Sequence, residues 1–201
     1  MSDSDSESAE AQAPSAGERR IRAATIGEPQ RLDGQIELCA YNVTWPRLYD
    51  REAQRVIAAL GRQVLRLEHV GSTSVPGLPA KPIIDMLLVV ADSGREDAYV
   101  PPMEAAGYVL RIREPDWYEH RLFKGPDTNI NLHVFSAGCV EIERMLGFRD
   151  HLRSSQTDRA LYAETKRELA SRHWNYVQEY ADAKTEVVEA IIARASDTAG
   201  S

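Results

Sequence analysis

The chain has 201 residues, of which 43% are apolar, and a formal net charge of −7 at neutral pH. This length suits one domain with a short appendage, and the apolar content is sufficient for a hydrophobic core. Five of the seven excess negative charges come from residues 1–18, which contain no basic residue, so the remainder is nearly neutral. That balance disfavours broad nucleic-acid binding, which needs a basic face, but it is compatible with a small anionic ligand.

The cysteine content and the apolar runs bear on the cellular compartment. Cys39 and Cys139 lack the spacing of a zinc site, and we expect them to be free thiols. No apolar run approaches the length of a membrane span, and the acidic, Ser-rich N-terminus is unlike a signal peptide. We therefore expect a cytoplasmic protein without a membrane partner.

Composition divides the chain into four segments. Residues 1–20 are rich in Ser, Ala and acidic residues and predict a disordered tail. Residues 21–35 form an ambiguous linker. The folded domain is expected at 36–195, and residues 196–201 are expected to fray.

The predicted elements follow in chain order. An apolar stretch at 36–40 predicts a strand or an extended arm, and Trp45-Pro46 opens a helix that ends at Gly61. Hydrophobic patterning then predicts strands near 63–70 and 83–90, a weak helix at about 102–107, strands at 108–113, 121–124 and 130–135, and helices at about 139–153, 157–171 and 173–195. A mixed sheet followed by helices is an α+β arrangement.

Residues 71–74 form a polar turn between two of these strands. Gly71 allows the backbone to approach a ligand closely, and Ser72, Thr73 and Ser74 supply small donors. A row of such donors suits a phosphate group. A plain tight turn is the alternative, because a Gly-Ser pair is common in turns.

Asp85 is a carboxylate in an otherwise apolar predicted strand. A charge in such surroundings is costly unless it meets a cation or a metal. Anion donors and a metal-seeking carboxylate are therefore expected to share one site.

Several motifs resemble those of a known family. The runs EHVGSTSVPGL at 68–78 and KPIID at 81–85 are followed by GY at 107–108, RLFK at 121–124, NLHV at 131–134 and FRDHLR at 148–153. Together they resemble the signature of the GrpB family. The resemblance implies a nucleotidyltransferase-like fold, with a mixed sheet, flanking helices and a C-terminal helical segment. A related domain is also found fused to dephospho-coenzyme A kinase, which points to nucleotide metabolism.

Active nucleotidyltransferase folds hold two divalent ions with three carboxylates. Two of these carboxylates are separated by one residue on one strand, and the third lies on a later strand. Asp85 fills the first place, Leu87 stands in the second, and the later strand carries Asn131 and His133. The chain therefore departs from the two-metal pattern at Leu87.

The residue chemistry and the resemblance together give a set of expected site residues. Asp85 and His133 are the expected catalytic residues. The expected ligand-binding residues are Gly71, Ser72, Thr73, Ser74, Lys81, Arg121 and Arg149. Arg121 and Lys124 point to opposite faces of a strand, and Arg121 is chosen by family position.

A divalent metal, Mg, Mn or Zn, is the expected cofactor. Asp85 is its expected ligand, and His69, His120 and His133 are alternative ligands of a transition metal or members of an acid–base pair. A hydrogen-bonded structural role is the competing interpretation of each histidine.

Two functions remain open at this stage. In the first, the protein is an enzyme that binds a nucleotide or another phosphorylated metabolite and transfers a nucleotidyl group. In the second, it is a non-catalytic nucleotide-binding or regulatory module with a degenerate metal site, which Leu87 favours. The expected partner is a small phosphorylated ligand, and the oligomeric state is open.

Overall fold

The computed structural model describes residues 13–32 and 35–199. Within these residues the chain forms seven α-helices and one five-stranded sheet. The helices are α1 (Ala16–Ala24), α2 (Trp45–Leu60), α3 (Glu96–Ala105), α4 (Val140–Ser154), α5 (Gln156–Ala170), α6 (Val177–Asp182) and α7 (Thr185–Ala199). The strands are β1 (Arg66–Val70), β2 (Ile84–Val90), β3 (Val109–Glu114), β4 (His120–Lys124) and β5 (Ile130–Ser136).

The sheet is mixed, with the strand order β1-β2-β5-β4-β3. β2 and β5 are parallel, and the other neighbouring strands are antiparallel. β2 is thus an interior strand, which explains its nearly unbroken apolar run. The predicted fold class is confirmed: an α+β protein with a mixed sheet, flanking helices and a C-terminal helical segment.

The two faces of the sheet pack against different helices, because side chains alternate along each strand. Met86 and Leu88 belong to the main core, which includes residues of α2 and α3. Leu87 and Val89 belong to a second cluster with α4. Asp85 precedes them on the α4 side, at the start of β2.

A third apolar cluster joins the turn after β1 to the C-terminal helices. Val75 and Leu78 pack there with Leu152 of α4, Tyr162 of α5 and Ile191 of α7. This packing fixes α5 against the turn.

The N-terminal segment reaches the far edge of the sheet. After α1, Thr25 forms an isolated antiparallel bridge with Ile112 of β3. α1 begins inside the predicted tail, because Ser15 caps it and Glu18 accepts a hydrogen bond from the Tyr176 hydroxyl (2.8 Å). The predicted disorder therefore does not extend to residue 20. Residues 1–12 of that tail lie outside the described residues.

Other predicted boundaries also need correction. The helix predicted at Trp45 to Gly61 is confirmed, with Gly61 as its C-cap. The weak helix predicted at 102–107 begins earlier, at Glu96, where acidic side chains suit a first turn. At the other end of the chain α7 continues to Ala199, past the predicted start of fraying, and residues 200–201 lie outside the described residues.

The helix predicted at 173–195 is two helices. Tyr176 is extended, bridges Arg31 and caps α6, and the chain turns at 183–184 before α7 begins. This turn brings Lys184 to the ring of Tyr180. Within the described part of the chain, no helix is long and apolar enough to cross a membrane.

Candidate functional site

The turn after β1 packs directly against Asp85. Gly71 has a φ of 67°, a conformation that favours glycine. A Cβ at this position would lie 2.8 Å from the Cβ of Asp85 and closer still to its carboxylate. The missing side chain therefore lets the turn and the carboxylate meet.

The hydroxyl groups of the turn have different roles. Thr73 Oγ1 donates to the carbonyl of Ile83 (3.2 Å), and Ser74 Oγ donates to the carbonyl of Gly71 (2.6 Å). Both side chains are buried, so their hydroxyls stabilise the turn. Ser72 Oγ instead accepts a hydrogen bond from Lys166 Nζ (3.0 Å). Of the three hydroxyls predicted to bind a ligand, that of Ser72 is the one that contacts a lysine.

Asp85 lies in a polar row that crosses three strands. Its Oδ1 accepts a hydrogen bond from Asn131 Nδ2 (2.7 Å), and Asn131 Oδ1 accepts one from Lys124 Nζ (2.5 Å). Strand register sets this row, because Asp85 is paired with Asn131 and Asn131 with Lys124. Burial raises the pKa of Asp85, and the hydrogen bond from Asn131 and the nearby lysine charges oppose that rise.

Four lysines lie within electrostatic reach of Asp85: Lys81, Lys124, Lys166 and Lys184. Burial lowers the pKa of all four, to about 8 for Lys81 and to about 7 for Lys166. In the part of the chain that the structure describes, none of the four forms an ion pair with a carboxylate. We call these lysines, together with Ser72, Asp85 and Asn131, the lysine pocket.

Aromatic rings support the lysines. Lys166 Nζ lies 4.8 Å from the centre of the Tyr162 ring, and Lys81 and Lys184 lie 5.3 and 4.5 Å from that of Tyr180. Lys166 Nζ also donates to the carbonyl of Pro79 (2.5 Å). The Tyr180 hydroxyl is buried and has no hydrogen-bond partner among the described residues. It leaves an open hydrogen-bonding group beside two of the lysines.

These features define the chemistry of the lysine pocket. Desolvated ammonium groups are unfavourable unless an anion compensates them. Asp85 acts on all four lysines and Asp182 acts on Lys184, so the lysines outnumber the carboxylates around the pocket. The pocket is therefore suited to an additional anion with several charges, such as a phosphate chain.

A hydrogen-bonded pair of histidines, His120 and His133, lies on the same face of the sheet as Asp85, because His133 is two residues after Asn131 in β5. His120 Nε2 and His133 Nδ1 share a hydrogen bond of 3.0 Å, and His120 Nδ1 lies 2.8 Å from Glu114 Oε2. Burial, with the charges of His120 and Lys124, lowers the pKa of His133 to about 3. His133 is therefore neutral at physiological pH.

His69 lies apart from these two histidines. His69 of β1 is paired with Met86 of β2, which places it on the opposite face of the sheet. Its ring stacks on that of Tyr49, with ring centres 4.9 Å apart. Among the described residues, no group of three or more His, Cys, Asp or Glu side chains is arranged to hold a metal ion. Asp85 accepts from an amide and faces four lysines, a donor set that does not fit the two-metal site of nucleotidyltransferases.

The two predicted arginines lie elsewhere. Arg121 is on the other face of β4, where its guanidinium donates to Glu96 (2.5 Å) and Glu119 (3.1 Å). As a correction, Lys124 occupies the place in the pocket that was expected for Arg121. Arg149 donates to Glu68 (2.8 Å) and to the carbonyl of His69 (3.1 Å), and it lines a separate cleft.

The structure thus joins four of the predicted residues, Gly71, Ser72, Lys81 and Asp85, and adds others that sequence reasoning missed. Lys166 is a helix residue that is only 2% exposed. Its position four residues after the core residue Tyr162 was the available signal, since residues four apart share a helix face. Lys184 gave no comparable signal, because it lies in a turn inside a predicted helix.

Fold and pocket together define an α+β protein whose Gly-Ser turn and lysine pocket share one end of a mixed sheet. The GrpB protein family model matches residues 35–194. The chain belongs to the GrpB family.

Individual relatives agree with this assignment. The chain is 57% identical over 181 residues to a UPF0157 protein of Halalkalibacterium halodurans, covering 90% of this chain and 93% of the relative. The crystal structure of conserved protein GrpB from Enterococcus faecalis is similar, with a TM-score of 0.72 and 30% identity over 82% of this chain and all of that chain. A dephospho-CoA kinase of Mycolicibacterium paratuberculosis is 30% identical over 192 residues, which cover 83% of this chain and 47% of that protein.

Proposed function

We propose that the protein binds the phosphate groups of a nucleotide or of another phosphorylated metabolite in the lysine pocket. The observation that carries this proposal is the convergence of four desolvated lysines, none of them in an ion pair among the described residues, on one carboxylate beside the Gly71 turn. A phosphate chain supplies the missing negative charge and accepts hydrogen bonds from ammonium groups and from Ser72 Oγ. A cytoplasmic location, where such metabolites are abundant, fits this function.

The similarity to part of a dephospho-CoA kinase supports the same ligand class. That protein is named for a reaction of a coenzyme A precursor. Coenzyme A precursors therefore belong in any ligand panel, beside nucleotides.

Nucleotidyl transfer is the second candidate, and the hydrogen-bonded pair of His120 and His133 beside the pocket favours it. Burial makes the neutral His133 a weak base, so it would accept a proton from an attacking group only where the negative charge of a bound phosphate raises its pKa. Asp85 and His133 are the residues that such a reaction would use. Since the donor set does not fit two metal ions, a transfer reaction here would depend on the lysines for charge neutralisation.

Thermal denaturation with a ligand panel tests the proposal. The panel contains pyrophosphate, nucleoside triphosphates and coenzyme A precursors, each with and without Mg²⁺, Mn²⁺ or Zn²⁺. A ligand at a hundred times its dissociation constant adds about 2.7 kcal/mol to the free energy of unfolding. We expect stabilisation by at least one phosphorylated compound, and its loss in Lys166→Gln.

Arg62→Gln is the matched control, since Arg62 is exposed and distant from the pocket in sequence and fold. It removes one positive charge without touching the lysines. Equal loss of stabilisation in both variants would show that only net charge matters and would overturn the assignment of the pocket. Release of pyrophosphate from a triphosphate, abolished by His133→Gln, would favour transfer over binding alone.

A further inference from the structure

A second cleft lies on the other side of the turn that follows β1. Its volume is about 660 Å³, and its lining includes Tyr41, Tyr49, His69, Arg149, Arg153 and Arg159. We call it the arginine cleft. None of the residues that define the lysine pocket lines it. Its size is in the range of small-molecule sites.

The three arginines are held in place by the protein itself. Arg149 donates to Glu68 and Asp150, and Arg153 donates to the carbonyl of Ser74 through Nε (3.1 Å) and Nη2 (3.0 Å). Arg159 Nη1 donates to the carbonyls of Leu152 (2.9 Å) and Arg153 (3.1 Å). Fixed donors lose little conformational entropy when a ligand binds, so the cleft is organised in advance.

The charge of the cleft is positive. Among the described residues, Glu68 and Asp150 are the carboxylates that pair with its arginines: both contact Arg149, and Asp150 also pairs with Arg153 (3.4 Å). Arg159 has no carboxylate partner in the described part of the chain. Burial and the charges of Arg153 and Arg149 lower the pKa of His69 to about 4, so His69 is neutral at physiological pH and adds no charge to the cleft.

The cleft also offers flat, rigid surfaces. The rings of Tyr49 and His69 stack with an interplanar angle of 5°, and the Tyr49 hydroxyl donates to the carbonyl of Leu67 (3.0 Å). The Tyr41 ring packs edge-on against Trp45 at 5.3 Å. Aromatic side chains fixed in this way favour contact with a planar group.

We propose that the arginine cleft is a second binding site, specific for a small organic anion that combines a planar ring with a phosphate or carboxylate group. The arginines, with Arg159 foremost, bind the anionic group through charge-assisted hydrogen bonds. The tyrosines contact the ring. The site is independent of ligand binding in the lysine pocket, although both adjoin the turn, where Arg153 donates to Ser74 and Lys166 to Ser72.

Amide NMR spectroscopy of the full chain, titrated with phenyl phosphate, tests this site. We expect saturable shifts at Tyr41, Tyr49 and Arg159. Inorganic phosphate is expected to bind the same residues more weakly because it lacks the ring. Shifts confined to Lys81, Lys166 and Lys184 would overturn the proposal. Equal affinity for inorganic phosphate would overturn the requirement for a ring.

Two variants separate this cleft from the lysine pocket. Arg159→Gln is expected to weaken phenyl phosphate binding about tenfold, the loss of one charged hydrogen bond. Arg62→Gln and Lys184→Gln are expected to leave the titration of the shifts at Tyr41, Tyr49 and Arg159 unchanged, whatever Lys184→Gln does to binding in the lysine pocket. If Arg159→Gln does not fold, Tyr41→Ala provides a second test, since it removes the ring contact and leaves the arginine bonds intact. Unchanged affinity in either folded cleft variant would contradict the proposal.

Discussion

Glu52 and Asp85 are two carboxylates in the protein interior, on opposite sides of the sheet, and the chain supports them differently. Glu52 is fully buried and accepts hydrogen bonds from Tyr108 (2.8 Å), Thr128 (2.6 Å) and Arg55 (3.1 and 3.2 Å). Asp85 accepts from Asn131 and faces lysines that form no ion pair with it among the described residues. Side chains of the protein provide hydrogen bonds and an opposite charge for Glu52, whereas the surroundings of Asp85 retain excess positive charge. We infer that Glu52 serves folding and Asp85 serves binding.

The largest expected effect comes from adding a carboxylate next to Asp85. Leu87 is fully buried in the cluster with Val70 and Phe135, so Leu87→Asp would bury a charge without a partner. We expect a loss of more than about 4 kcal/mol in the free energy of unfolding, measured by urea denaturation. Leu87→Met should cost less than about 1.5 kcal/mol. A folded Leu87→Asp variant that binds Mn²⁺ in calorimetry would show instead that position 87 opens to the pocket.

Replacing Glu52 is expected to have the next largest effect. Glu52→Gln keeps the shape but removes the charge opposite Arg55 and places an amide donor against existing donors. We expect destabilisation by about 2 to 4 kcal/mol in urea denaturation. Glu104→Gln, on the exposed side of α3, should change stability by less than about 0.5 kcal/mol. A similarly small effect of Glu52→Gln would contradict the inference that Glu52 stabilises the fold.

The lysine pocket should lose affinity for anions as the pH rises. The pKa of Lys166 is lowered to about 7 and that of Lys81 to about 8, so both ammonium groups lose their protons between pH 6.5 and 9. Sulfate, whose charge is constant in this range, should bind about tenfold more weakly for each charge lost. Calorimetry at constant ionic strength measures this change. Lys166→Gln should flatten the profile, and an affinity independent of pH in the wild type would mean that the lysines do not contact the anion.

Of the substitutions at the two carboxylates, Asp85→Asn is expected to have the smaller effect on stability. Like Glu52→Gln, it replaces a carboxylate with an amide. Loss of the buried charge offsets loss of its attraction to the lysines. We expect the free energy of unfolding to change by less than about 1 kcal/mol, with the melting temperature equal to that of the wild type or higher. Destabilisation as large as that of Glu52→Gln would identify Asp85 as a structural residue.

Local sequence patterns predicted the strand that carries Asp85 and the turn that precedes it. The apolar run at 83–90 and the Gly71 turn were recognisable because both depend on neighbouring residues. To place Asn131 and Lys124 beside Asp85, the register of three strands must be known. The hairpin between β4 and β5 and the parallel pairing of β2 with β5 determine that register together. The error at Arg121 has this origin, since one residue of register decides which face a side chain occupies.

Lys166 and Lys184 were beyond local prediction for another reason. Lys166 contacts the turn because apolar residues of α5 pack against Val75 and Leu78, and Lys184, just before α7, lies within electrostatic reach of Asp85. Helical periodicity indicates that Lys166 shares a face with Tyr162, but the segment that this face contacts depends on tertiary packing between residues about a hundred positions apart. The GrpB resemblance located the turn, Lys81 and Asp85, but it did not assign Lys124, Lys166 or Lys184 to the site.

The bridge between Thr25 and Ile112 has a consequence for the behaviour of the protein in solution. β3 is the last strand of the sheet, and its outer backbone groups are a template on which a strand of another molecule can add. Thr25 and the backbone of Ile26, which donates to the carbonyl of Arg111 (2.8 Å), cover part of that edge. A chain shortened beyond residue 26 would therefore be expected to lose solubility through edge-to-edge aggregation before it loses the ability to bind a ligand.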